Sequence, residues 1–153
     1  MYETIKYPYN INAALTRIAV PLVFLLITAN NFKTAYLAGT TANWLIIATA
    51  DLIFIAQVVF IFINRLLPAL QKKAALELNE TGIDDYIRKV EISWRDVEAI
   101  NFEQGRRAKM VVDLKEETDY GKQIAINLSW VQGNALEICQ TTQAYLEEMN
   151  RVN

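Results

Sequence analysis

The chain of 153 residues contains no histidine, one cysteine, three prolines and five glycines. Each scarcity removes a class of function. Without histidine there is no imidazole general base, no Ser-His-Asp triad and no imidazole-ligated metal. With Cys139 alone, a disulfide framework, a CxxC redox pair and a Cys-ligated zinc are all excluded. Cys139 follows Ile138 in a helical pattern and reads as a small core residue. No Gly-rich phosphate loop and no nucleophile elbow occurs. The acidic groups Asp84–Asp85 and Glu116–Glu117–Asp119 lack calcium-loop spacing and read as solvated turns. The inventory therefore predicts no catalytic residues, no metal and no cofactor.

Apolar sequence is abundant. Hydrophobic residues make up 53% of the chain. They concentrate in two runs, Ala13–Phe32 and Trp44–Asn64, each long enough to cross roughly 30 Å of hydrocarbon as a helix. Pro21 lies inside the first run, where a kink is expected. A secretory signal is the rival reading of that run, but no small-x-small cleavage site follows it convincingly. The short connection between the runs predicts an antiparallel hairpin over residues 13–67, followed by a juxtamembrane linker at 68–74. Residues 1–12 are expected to precede it as a cytoplasmic segment. Trp44 and Arg17, Arg65, Lys72 and Lys73 are the membrane-flanking residues. Lys6 and those four cations flank one side against Lys33 on the other, which predicts both termini in the cytoplasm.

The composition changes after Pro68. Residues 1–73 carry a net +4 and residues 74–153 a net −6, so two physically different parts meet near Lys73. The second part holds short segments rich in Val, Ile and aromatics: AALEL, IDDYIRKVEISW, DVEAINFE, KMVVDLK and QIAINLSW. These predict strands, separated by turn signals at Asn79–Gly82, Glu103–Ala108 and Lys115–Lys122. A terminal helix follows, with Leu136, Cys139, Thr142, Leu146 and Met149 as its apolar stripe and Asn134 as its N-cap. The fold class is α+β: a transmembrane hairpin, then a small antiparallel sheet or open barrel at 75–153 with a capping helix. An acidic soluble part argues against nucleic acid as a partner.

The order of two spans, short strands and one final helix resembles small bacterial two-span membrane proteins with a cytoplasmic pleckstrin-homology-like domain. The resemblance rests on LELNETGI (Leu76–Ile83), on EISWRDVEAINF (Glu91–Phe102), and on IAINLSW followed by the helix. It implies a bent barrel capped by a helix, a location in the bacterial inner membrane, and binding of a protein, peptide or lipid headgroup. The expected function is thus a non-enzymatic, membrane-anchored interaction module. The alternative is a membrane regulatory or immunity-type protein whose hairpin recognises another membrane protein.

Three sets of candidate residues follow. Trp94 and Asp96 are either structural, with Asp96 capping a turn, or the rim of a peptide groove. Arg106, Arg107 and Lys109 form a basic hairpin loop able to meet phosphates or a protein partner, and otherwise a solvated turn. Asp51 sits about 10 Å below Trp44 by helical rise, where a carboxylate is costly and must face protein. In an antiparallel hairpin it comes level with Thr28, Asn30 or Asn31, from its own chain or from a second copy in a homo-oligomer. Gln57 falls on a different face of the same helix.

Overall fold

Residues Ile5–Pro8 form a strand, β1, ahead of the first apolar helix. The computed structural model describes residues 4–38, 41–105 and 107–152. After β1 come two long helices, α1 (Ile11–Leu37) and α2 (Thr41–Ile61). The second continues through a π-helical turn, Phe62–Leu66, into a short α3, Leu67–Leu70. Six further strands follow: β2 (Ala74–Leu78), β3 (Gly82–Asp85), β4 (Val90–Ser93), β5 (Val97–Glu103), β6 (Lys109–Thr118) and β7 (Gly121–Asn127). The last helix, α4, spans Ala135–Val152. The protein is therefore α+β.

The chain divides into two compact units, Ile11–Gln71 and a composite of Met1–Asn10 with Lys72–Asn153. The sequence reading placed residues 1–12 outside the folded domain, and the structure draws β1 into it. Ile5 and Tyr7 stand opposite Leu78 and Leu76 of β2. Proline is tolerated at the end of β1, because an edge strand loses little without that N–H. The pairing is reinforced beyond the strand: the Tyr9 N–H donates to Lys73 O (3.3 Å), Asn10 N–H to Trp130 O (2.8 Å) and Gln132 N–H to Pro8 O (2.8 Å).

Within the hairpin unit, α1 and α2 pack on each other. The apolar stretches run over Ile11–Thr34 and Trp44–Leu70, so both helices extend further than the sequence limits of Phe32 and Asn64. The helix continues through Pro21. Most apolar side chains point outward; Leu26 is 74% exposed and Ile46 68%.

The sheet unit has the opposite character. Strands β1–β2–β3–β4 form one antiparallel sheet and β5–β6–β7 another. Leu76, Leu78, Ile83, Met110, Leu114, Ile126 and Ile138 are fully buried. The segment Ile83–Trp94, read as one strand region, is broken by a turn between β3 and β4. Asp85 drives that turn: it is buried, and its Oδ1 accepts from the N–H groups of Ile87 (2.9 Å) and Arg88 (3.3 Å). The expectation of a solvated Asp84–Asp85 turn therefore fails, since both residues lie in β3.

Helix α4 packs on β5 and β6, and Gln143 Nε2 donates to Ile100 O of β5 (2.6 Å). Asn134 caps the helix, its Oδ1 accepting from Leu136 N–H (3.0 Å). The buried stripe is Ile138, Cys139, Thr142, Leu146 and Met149, while Leu136 is 46% exposed. Ile138 replaces Leu136 at the start of the stripe.

Candidate functional site

The polar candidates of the two apolar helices resolve into one contact. Thr28 Oγ1 donates to Asp51 Oδ1 within the same hairpin. The Thr28 hydroxyl also lies near the carbonyls of Phe24 (2.9 Å) and Leu25 (3.2 Å). One turn away, the rings of Phe24 and Phe54 stack at 5.2 Å, fixing the same antiparallel level. Asn30 and Asn31 are exposed and are not brought to Asp51. A half-buried carboxylate is thus hydrogen-bonded by its own chain, which offsets part of the cost of its partial desolvation.

Trp94 is a scaffold residue. It is only 4% exposed, and its indole N–H donates to Asn79 O (2.8 Å). Its ring centre lies 6.2 Å from that of Tyr145 on α4. The residue that organises this corner is Asn79, which the sequence reading passed over as part of a turn. Its Oδ1 accepts from Thr81 N–H (2.8 Å), Thr81 Oγ1 (2.6 Å) and Gly82 N–H (2.9 Å), while its Nδ2 donates to Asp84 Oδ2 (2.7 Å). The signal was the NETG string itself, since Asn readily bonds backbone two residues on. Gly82 is required by close approach: a Cβ there would stand 2.0 Å from Ile92 O. The turn after β4 is capped by Ser93, whose Oγ accepts from Arg95 N–H (3.4 Å), and Asp96 does not cap it.

Asp96 instead borders a depression of about 310 Å³ on β3 and β4, shared with Thr81, Gly82, Asp84, Glu91, Ile92 and Ser93. Strand register builds its charge. Lys6, Glu77, Asp84 and Glu91 stand side by side across the four strands. Lys6 Nζ pairs with Glu77 Oε1 at 3.3 Å. Burial, then the neighbouring Glu91 and Glu77, push the Asp84 carboxyl up from its ordinary value, and the Asn79 amide opposes them. A second depression, also about 310 Å³, is lined by Glu98, Ala99, Asp113, Lys122 and Gln123. Asp113 there is held by Asn101 Nδ2 (2.7 Å) and Gln123 Nε2 (2.8 Å).

The remaining candidates are dispersed. Arg107 and Lys109 are exposed at the β5–β6 connection, Lys109 opposite Glu103, and Arg106 lies outside the described residues. Arg17 and Trp44 are half-buried, Arg65 sits in the π-helical turn, and Lys72 and Lys73 are exposed where the chain re-enters the sheet. Among the described residues, no group of three or more acidic or cysteine side chains is placed to hold a metal ion. Compared with known protein families, curated proteins and solved structures, the chain matches none.

Proposed function

We propose that the protein is a non-enzymatic, membrane-tethered interaction module: a two-span hairpin in a bacterial inner membrane that holds a pleckstrin-homology-like domain at the cytoplasmic face. The carrying observation is the pairing of β1 with β2 on either side of the hairpin. Both ends of the hairpin feed one folded sheet, so both must emerge on the same side of any membrane it crosses. The lysine and arginine bias assigns that side to the cytoplasm. Little of either apolar stretch is buried in the protein, 17% and 6%, which suits lipid contact better than a place in a soluble core. Two antiparallel sheets of four and three strands, followed by a packed terminal helix, support the pleckstrin-homology-like reading.

The acidic depression beside Asp84, Glu91 and Asp96 is the surface for a partner, and its charge favours a basic protein segment over an anionic headgroup. Trp94 supports this surface from within. The regulator reading, in which Asp51 grips another membrane protein, is weakened by the bond Asp51 makes to Thr28. Photo-crosslinking in cells tests the proposal. A crosslinker at Ser93 is expected to capture a protein that a crosslinker at Lys122 does not. The capture is lost in the Asp84→Asn/Glu91→Gln/Asp96→Asn variant. Adducts to lipid alone, or equal capture at both positions, would refute it. Reporter fusions at both termini are expected to report the cytoplasm.

A further inference from the structure

We infer that two copies of the chain associate in the membrane through the α2 face carrying Gln57, their carboxamides pairing across a two-fold axis along the membrane normal. The inference rests on the membrane reading above. Its starting point is how the hairpin disposes of its other polar side chains. Thr16, Thr28, Thr34 and Thr49 each lie within reach of the carbonyl four residues back, at 2.8, 2.9, 3.5 and 2.8 Å. Asn64 Nδ2 donates to Phe60 O (2.9 Å). Asp51 accepts from Thr28. Gln57 is exposed and has no hydrogen-bonding partner among the described residues.

Depth makes that exception costly. Gln57 lies 13 residues past Trp44 and eight before Arg65. At 1.5 Å per residue it is about 20 Å from one end and about 12 Å from the other, beyond the reach of its side chain. Asn30 and Asn31 are exposed too. The Thr28–Asp51 and Phe24–Phe54 contacts place them level with residues 47–49, only about 5–8 Å below Trp44, where they can turn toward water. Hydrocarbon offers Gln57 neither donor nor acceptor.

The chemistry of the group selects its partner. A carboxamide carries two donors and an acceptor, so it pairs with another carboxamide through two N–H···O bonds without any change of charge. Insertion gives every copy the same orientation, and a two-fold axis along the normal then sets Gln57 against Gln57 at one depth. Ile53 and Phe60, 63% and 62% exposed, flank it at helical spacing and supply the apolar contact around the polar pair.

The test is Förster transfer between labelled full-length chains in liposomes over a range of protein-to-lipid ratios. Wild type is expected to dimerise, and Gln57→Leu to raise the dissociation constant at least tenfold. Gln57→Asn, which keeps the amide, and Asn30→Leu are expected to stay nearer wild type. A wild-type monomer at every density, an unchanged Gln57→Leu dimer, or an equal loss in Asn30→Leu would each overturn the pairing. Alkaline carbonate extraction separates the two readings. Release of wild type from membranes defeats the membrane reading itself, whereas a retained monomer defeats only the pairing.

Discussion

Leu26 in the hairpin is 74% exposed, and Leu76 in the sheet unit is fully buried. The same side chain stands in opposite surroundings in the two units. In the hairpin, polarity is the exceptional property: Thr16, Thr49 and Asn64 reach carbonyls of their own helix and Asp51 is tied to Thr28, while Asn30, Asn31 and Gln57 are exposed. In the sheet unit, polarity is ordinary at the surface, and what needs explaining is a buried polar group such as Asp85, which holds the turn after β3. Burial is therefore informative about stability in one unit, and hydrogen-bond satisfaction in the other.

The largest effect expected from this contrast is at Leu76. Leu76→Ala should cost the sheet unit about 2–5 kcal/mol, read as lost protection of strand amides by hydrogen exchange of the full-length chain in detergent. Next is Trp94→Phe, which keeps an aromatic side chain but replaces the indole with a smaller ring and leaves the Asn79 carbonyl without its N–H donor. It should cost about 1–3 kcal/mol in the same measurement. Protection unchanged by either substitution would mean that the sheet unit does not rest on this core.

A smaller effect, of opposite sign, is expected at Asp84. Its carboxyl titrates higher in the folded chain, so folding favours the protonated form. Stability from this group is greatest at acid pH and declines as pH rises through the raised titration. Asp84→Asn keeps an acceptor for the Asn79 amide and removes the like-charge contacts. It should stabilise the sheet unit by about 0.2–1 kcal/mol at neutral pH, a gain that vanishes in acid. A constant gain across pH would show that charge is not its source. The smallest effect belongs to Leu26→Ala, expected within about 0.5 kcal/mol because its side chain meets no core. A loss comparable to that of Leu76→Ala would break the comparison.

Much of the architecture was legible because its signals are local. Hydropathy located both helices, strand composition located β2, β5, β6 and β7 but merged β3 with β4, and Asn134 marked the start of α4. Counting helical rise in an antiparallel hairpin brought Asp51 to the level of Thr28, Asn30 or Asn31, and of these only Thr28 makes the contact. What stayed hidden depends on partners distant in sequence. β1 is four residues ending in proline, and its signal exists only in the Leu76 and Leu78 side chains across the hairpin. Leu136 and Ile138 both fit a helical stripe, and only packing against the sheet decides between them. Trp94 was readable as core or rim because a tryptophan serves either, and Asn79 supplied the deciding bond. The acidic face was invisible because Glu77, Asp84 and Glu91 become neighbours through register alone.

The strand pairing across the hairpin also sets an order of events during synthesis. Ile5 leaves the ribosome 73 residues ahead of Leu78, its partner in β2. Until then β1 has no sheet to join, and the closing loop it must wait for is the entire hairpin. Closing a loop of that length costs entropy that strand contacts alone must offset, whereas a hairpin already seated with both ends on one side brings β1 to β2 in advance. On the membrane reading, the sheet unit folds after the hairpin has inserted, and a half-inserted hairpin would leave β1 and β2 on opposite sides and the sheet one strand short.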